Sequence, residues 1–211
     1  MIISKPTISN RVQTTNIKNL DIEFSLSIPG EHNVLNACGS LIMLDVLSKR
    51  LNKILDFEIA KETLLKFKNT KRRFEKTGEC NGAIILDDYA HHPKEIEVTL
   101  KSAKEFYKDR KITVVFQSHT FSRTQSLEKD FTKCFSGADK VIIAPIYPSA
   151  REKKTNYTSK DFHQAISQSH QNALYFDTYE EITKHLKETI SREDIVITMG
   201  AGDIWQTTVD L

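Results

Sequence analysis

The sequence predicts an α/β protein whose larger, C-terminal part is a mostly parallel sheet covered by helices. Three observations carry this expectation. From Gly82 onward, short continuous apolar runs alternate with amphipathic segments, the pattern of strands buried on both faces beneath crossover helices. Before Phe74 the rhythm differs, with one strictly alternating run followed by two helical stretches. Hydrophobic residues make up 39% and charged residues 27% of 211 positions, the make-up of a globular chain long enough for one large domain or one and a half small ones.

Taken in order, Asp21 to Ile28 alternates. Ile22, Phe24, Leu26 and Ile28 share one face, which predicts a half-buried strand, antiparallel or at an edge. Pro29-Gly30 breaks it. A helix is expected from Asn33 to Leu51, with Val34, Ala37, Leu41, Leu44 and Leu47 at helical spacing, and a second from Phe57 to Phe67. Strands follow at Ala83 to Asp87, Lys111 to Phe116, Lys140 to Ala144, Ala173 to Phe176 and Ile195 to Thr198. Helices are expected at Lys94 to Tyr107, Ser126 to Phe135, Ser159 to Ser167 and Tyr179 to Ile190. The change of rhythm between Phe74 and Gly82 suggests two domains, 1–73 and 74–211. The first, with one clear strand and two helices, reads as the end of a domain whose beginning is absent. The face of Ile22, Phe24, Leu26 and Ile28 should then be open, favouring self-association or partial disorder from Met1 to Ile28.

Composition narrows the function. Lys and Arg number 30 against 28 Asp and Glu, a net charge of +2, so bulk charge gives no support to nucleic-acid binding. The odd, widely spaced Cys38, Cys80 and Cys134 suggest neither a disulfide framework nor a zinc site. No apolar run approaches the roughly 18 residues of a membrane span, and Met1 to Asn10 has no signal-peptide core. A cytoplasmic enzyme, or a piece of one, is expected.

Two segments carry the chemistry. Asp87-Asp88-Tyr89-Ala90-His91-His92-Pro93 and Gln117-Ser118-His119-Thr120-Phe121-Ser122-Arg123-Thr124 each directly follow an apolar strand. Ligands of open α/β sheets bind outside the carboxyl ends of strands, so two adjacent strand ends of this kind would face one crevice. A carboxylate such as Asp88 can accept from a ribose hydroxyl or hold a metal-bound water, and Tyr89, His91 and His92 add donors and titratable imidazoles. Pro93 suits a first helical turn. His119 and Arg123, four apart, could together hold a carboxylate or phosphate, with Thr124 capping the following helix and Leu127 starting its apolar face.

Three other segments add to these. In Gly30-Glu31-His32-Asn33-Val34-Leu35-Asn36-Ala37, Asn33 and Asn36 could pair with an adenine edge and His32 could stack on a base, while the plain alternative, favoured by capping preferences alone, is that Asn33 merely caps the helix. In Lys71-Arg72-Arg73-Phe74 the planar guanidinium forks suit phosphate, and a solvated basic turn is the plain alternative. Gly200-Ala201-Gly202-Asp203 allows a tight turn or close backbone approach, a weak signal alone. The phosphate loop Gly-x-x-x-x-Gly-Lys-Ser/Thr and the Gly-x-Gly-x-x-Gly fingerprint are both absent from the sequence.

In this order, the five segments resemble the C-terminal half of the Mur ligases, and among them the alanine-adding type. Pro145-Ile146-Tyr147 and Ala150-Arg151-Glu152 fit the same likeness, which runs from about Asp21 to Asp203. Two departures are Ser118, where proline is common in the family, and the tail after Asp203. The resemblance implies a Rossmann-like C-terminal domain preceded by the end of a central ATPase domain. It implies an ATP- and Mg2+-dependent ligase of peptidoglycan synthesis that joins L-alanine to UDP-N-acetylmuramate through an acyl phosphate. His32, Asn33 and Asn36 would contact adenine, Arg73 the ATP phosphates, and Asp88 the ribose or the domain hinge. Tyr89, His91, His119 and Arg123 would line the amino-acid and acyl-phosphate side. The UDP-sugar domain, the phosphate loop and most magnesium ligands would lie outside this chain, which alone is expected to be inactive. A ligase recycling murein tripeptides, and a nucleotide-binding half of a split ligase, stand as alternatives.

Overall fold

The structure, a computed structural model, describes residues 3–9, 11–18, 21–149, 152 and 156–211. Two compact units are present: Met1–Asn69 with Glu105–Tyr107, and Thr70–Lys104 with Lys108–Leu211. The basic turn holding Arg72 and Arg73 thus groups with the second unit.

The first unit is a three-stranded antiparallel sheet with two helices. Strands β1 (Thr7–Ser9), β2 (Val12–Ile17) and β3 (Ile22–Leu26) lie in that order, and α1 (Glu31–Arg50) and α2 (Phe57–Lys66) follow. The alternation of β3 places it as expected, antiparallel and at an edge. Its inner face is not open, however. Ile22, Phe24, Leu26 and Ile28 pack with Ile17, Val34, Ala37, Cys38 and Leu41 into one buried cluster. The expected exposure lies elsewhere, on α1. Leu44 and Leu47, assigned to the buried stripe, are exposed, as are Leu35, Met43 and Val46. Two strands escaped the sequence reading because β2 buries polar side chains. Gln13 Nε2 donates to the carbonyls of Ile28 (2.6 Å) and Gly30 (3.2 Å), and Thr15 Oγ1 donates to the Ser4 carbonyl (2.6 Å). Bonded in this way, they can be buried without an unpaired polar group.

The second unit is a six-stranded sheet built from β4 (Glu75–Cys80), β5 (Ala83–Asp88), β6 (Lys111–Phe116), β7 (Lys140–Ile143), β8 (Ala173–Tyr175) and β9 (Asp194–Met199). Its order is β4-β5-β9-β6-β7-β8, parallel except for β4 against β5. The β4–β5 hairpin turns at Asn81-Gly82, both with positive φ (51° and 79°), as such a two-residue turn requires. Helices α3 (Pro93–Phe106), α4 (Phe121–Ser126), α5 (Glu128–Cys134), α6 (Ser159–Ser167) and α7 (Tyr179–Thr189), then a 3-10 turn at Ile204–Thr208, complete it. Pro93 opens α3 as expected. The helix expected from Ser126 to Phe135 is α5, and the preceding residues Phe121–Ser126, read as a loop, form the separate helix α4, parted from it at Leu127 (φ −104°, ψ 9°). Thr124 accordingly does not cap a helix; it is buried inside α4.

The continuous apolar strands are buried on both faces. On one, Ile85, Val115, Ile142 and Val196 pack under Ile182 and Leu186 of α7. On the other, Phe116 meets the rings of Phe131, Phe135 and Phe162 at centroid distances of 5.4, 5.3 and 6.1 Å. Among the described residues, no helix is long and apolar enough to cross a membrane.

Candidate functional site

The parallel order sets the carboxyl ends of β5, β9, β6 and β7 side by side. The two motif loops do not leave adjacent strands, as the sequence suggested: β9 lies between β5 and β6. The glycine-rich loop after β9 therefore sits between the motifs. Gly200 N donates to the Asp88 carbonyl (3.2 Å), and Gln117 N donates to the Met199 carbonyl (3.0 Å). Gly200 has φ +152°, and a Cβ there would stand 2.6 Å from the Gln117 carbonyl oxygen, so a side chain is excluded.

At the β5 end, Asp87 and Asp88 are both buried. Asp87 accepts from Thr198 Oγ1 (2.7 Å) and from Arg72 Nε (2.9 Å). Asp88 accepts from the backbone N–H of Ala90 (2.7 Å) through Oδ1 and of Phe74 (2.8 Å) through Oδ2. Burial pushes the Asp88 carboxyl above its ordinary value, against those two hydrogen bonds and the nearby Arg73 charge. With each oxygen accepting from a backbone donor, Asp88 braces the turn. Tyr89 is partly exposed, with the guanidinium carbons of Arg72 and Arg73 at 5.0 and 5.9 Å from its ring centroid. His91 stands edge-on to that ring at 5.3 Å, and its Nδ1 lies 3.3 Å from Glu95 Oε2. Burial acts to raise Glu95, but the N–H groups of His91 and His92 and the charges of His91 and Arg73 hold it below the ordinary carboxylate range. Tyr89, His91, Arg72 and Arg73 are thus brought together, joined by Glu95, which sequence reasoning did not single out.

At the β6 end, His119 stacks on Tyr147 (5.4 Å between centroids, 14° between planes). The pairing is fixed by backbone: Thr120 N donates to the Tyr147 carbonyl (2.9 Å) and Tyr147 N to the Ser118 carbonyl (2.8 Å). Ser118 hydrogen-bonds through Oγ to buried Thr124 Oγ1 (2.6 Å). Arg123 lies in the last turn of α4. Gln117 Nε2 donates to the Pro145 carbonyl (3.2 Å), and Tyr179 Oη, which also bonds Gln117, donates to Asp203 Oδ1 (2.6 Å). Burial, then Asp203, raises the Tyr179 hydroxyl. A cavity of about 350 Å³ opens here, lined by Gln117, Tyr147, Tyr179 and Asp203 among others. Tyr179 was not foreseen; it lies on a helix that reads only as amphipathic. Of the Ala150-Arg151-Glu152 segment, Ala150 and Arg151 lie outside the described residues, and Glu152 accepts from Ser122 N (2.6 Å).

His32, Asn33 and Asn36 occupy the start of α1 in the first unit. Asn33 does not cap the helix. Gly30 holds that position, and Asn33 Nδ2 donates back to the Pro29 carbonyl (2.7 Å). Asn36 is exposed. Among the described residues, no group of three or more His, Cys, Asp or Glu could hold a metal ion.

Comparisons with known proteins agree with this arrangement. The family model described as "Mur ligase, glutamate ligase domain" matches residues 72–202. The UDP-N-acetylmuramate–L-alanine ligase of Desulfitobacterium hafniense is 45% identical over 185 residues, 87% of this chain and 40% of that protein. The enzyme of the same name from Caldanaerobacter subterraneus is 45% identical over 184 residues, 87% and 38%. The chain thus spans about two fifths of the length of these relatives. The crystal structure of UDP-N-acetylmuramate-alanine ligase MurC from Thermotoga maritima superposes with a TM-score of 0.79 at 26% identity, covering 98% of this chain and 43% of that one. MurF ligase from Thermotoga maritima, solved in complex with ADP, shares the fold at a TM-score of 0.67 and 17% identity, covering 98% and 44%. With the family model matching more than half of its residues, the chain belongs to the Mur ligase family.

Proposed function

We propose that this chain is the C-terminal portion of a cytoplasmic, ATP-dependent ligase that joins L-alanine to UDP-N-acetylmuramate through an acyl phosphate in peptidoglycan synthesis. The observation that carries the reading is the 45% identity to alanine-adding ligases over 87% of the chain. The residue types support it. Transfer through an acyl phosphate calls for cations around developing charge and for held substrates more than for a covalent nucleophile. In the second unit, Arg73 is the exposed cation for the ATP phosphates, and Tyr89, His91, His119 and Arg123 serve the amino-acid and acyl-phosphate side. In the first, His32, Asn33 and Asn36 serve adenine. Magnesium would be held chiefly by residues outside this chain.

The test has two arms. ATP and ADP binding is measured by calorimetry, with and without magnesium, on this chain and on Asn36→Ala; binding weakened in the variant is expected. Ligation of L-alanine is then assayed with UDP-N-acetylmuramate, first with this chain alone and then with the missing N-terminal portion added. Activity only in the combined sample is expected. Preference for a murein tripeptide over L-alanine, or ligation by the chain alone, would refute the reading.

A further inference from the structure

We infer that Arg72 is a positioning residue: it sets the strained turn around Arg73 and so aims the Arg73 guanidinium. The inference rests on the reading above, which gives Arg73 to the ATP phosphates.

The two neighbouring arginines are used differently. The fork of Arg72 is committed, Nε to Asp87 Oδ2 (2.9 Å) and Nη2 to the Gly200 carbonyl (2.7 Å). Its anchor is itself braced, because Asp87 accepts from Thr198 Oγ1 of the central strand. Arg73 is exposed, and among the described residues its guanidinium donates no hydrogen bond. A phosphate ligand would find Arg72 occupied and Arg73 available.

The backbone explains how one serves the other. Arg72 and Phe74, flanking Arg73, both have left-handed φ, 58° and 52°. Such strain in a non-glycine residue persists only where the surroundings over-determine it, and it gathers at functional sites. Here the surroundings do so. Glu75 Oε2 accepts from Arg72 N (2.7 Å), Asp88 Oδ2 from Phe74 N (2.8 Å), and the Thr70 carbonyl from Arg73 N (3.2 Å). Tyr89 N in turn donates to the Arg72 carbonyl (2.7 Å), and the Tyr89 ring lies within cation–π range of both guanidinium groups. The Arg72 side chain ties this turn to two strand ends at once, β5 through Asp87 and β9 through Gly200. Lysine, a point charge on a flexible stem, cannot reproduce that fork.

The test is a double-mutant cycle in the complete ligase that contains this chain, reading kcat and the KM for ATP for Arg72→Ala, Arg73→Ala and the pair. If Arg72 acts by aiming Arg73, Arg72→Ala lowers kcat by about ten- to a hundredfold, the scale of a 1 Å misplacement. The pair should then be no worse than Arg73→Ala alone. Arg72→Lys should recover only part of the loss, and Asp87→Asn should reproduce part of it. These last two stand in for Arg72→Ala if that variant does not fold. Multiplicative losses in the pair, or an unaffected Arg72→Ala, would overturn the inference while leaving the ligase reading intact. An unaffected Arg73→Ala would remove the phosphate role itself, and the inference with it.

Discussion

Replacing Asp88 by alanine removes the acceptor for two backbone donors, Phe74 N–H at 2.8 Å and Ala90 N–H at 2.7 Å. Hydrogen bonds to a charged partner contribute about 1.5–3 kcal/mol each. Their sum is offset in part because the buried charge is also removed, and burial already holds the Asp88 carboxyl above its ordinary range. A net loss of about 3 kcal/mol is expected, or about 6–12 °C in melting temperature at about 2–4 °C per kcal/mol for a chain of this size. Asp88→Asn should lose roughly half of this, since its amide can face one N–H with oxygen but must present NH2 to the other. The pH dependence has a definite sign. The folded state holds the Asp88 proton to higher pH than the unfolded chain, whose carboxyl titrates near its ordinary value of 3.8. The protonated group's advantage is therefore present below that value and is lost as pH rises through the folded pKa. The stability gap between wild type and Asp88→Asn should accordingly be wider in acid and narrow through the window just above pH 3.8. Calorimetric melting across that window is the assay. An Asp88→Ala variant within about 0.5 kcal/mol of wild type, the scatter of neutral surface changes, would refute the bracing role.

Gly200→Ala should cost more than the usual helix or strand value. Its Cβ would meet the Gln117 carbonyl at 2.6 Å with φ at +152°, so strain of about 1–3 kcal/mol is expected, read by urea unfolding. Phe116→Ala opens a void among three phenylalanines and should cost about 3–5 kcal/mol in the same assay. Lysines at Met43 and Val46, both exposed on α1, should leave melting within about 0.5 kcal/mol yet reduce self-association in sedimentation. A wild-type chain that is monomeric throughout would count against any association through that face.

The parallel strands were legible because burial on both faces leaves a mostly apolar run, unbroken in Ala83 to Leu86 and interrupted by Thr113 alone in Ile112 to Phe116. Lys111–Phe116 and Ser159–Ser167 begin and end where the pattern said they would. What escaped was polar where the pattern demands apolar. In β2, Gln13 and Thr15 are buried through hydrogen bonds to distant carbonyls, which no periodicity shows. β4, Glu-Lys-Thr-Gly-Glu-Cys, is an exposed edge strand, though the Asn81-Gly82 dipeptide was a hairpin signal available to the reading. At the site, residue types and strand-end placement were legible, as with Tyr89 beside His91. Partnership was not. That Arg72 is spent on Asp87 and Gly200 while its neighbour stays open depends on a strand order that inserts β9 between β5 and β6. The same insertion explains why the glycine loop, weak as a motif, stands between the two polar loops.

That central strand also bears on how the unit comes to exist. β5 and β6 are not hydrogen-bonded to one another; each waits for β9. The Thr198 hydroxyl and its partner carbonyl on Leu86 are 112 positions apart in the chain. Contacts this distant need a large loop to close before they contribute anything, so the second unit should fold slowly for its size. During synthesis, two largely apolar strands would have open edges until the last one emerges, a period in which pairing with another chain competes with pairing at home.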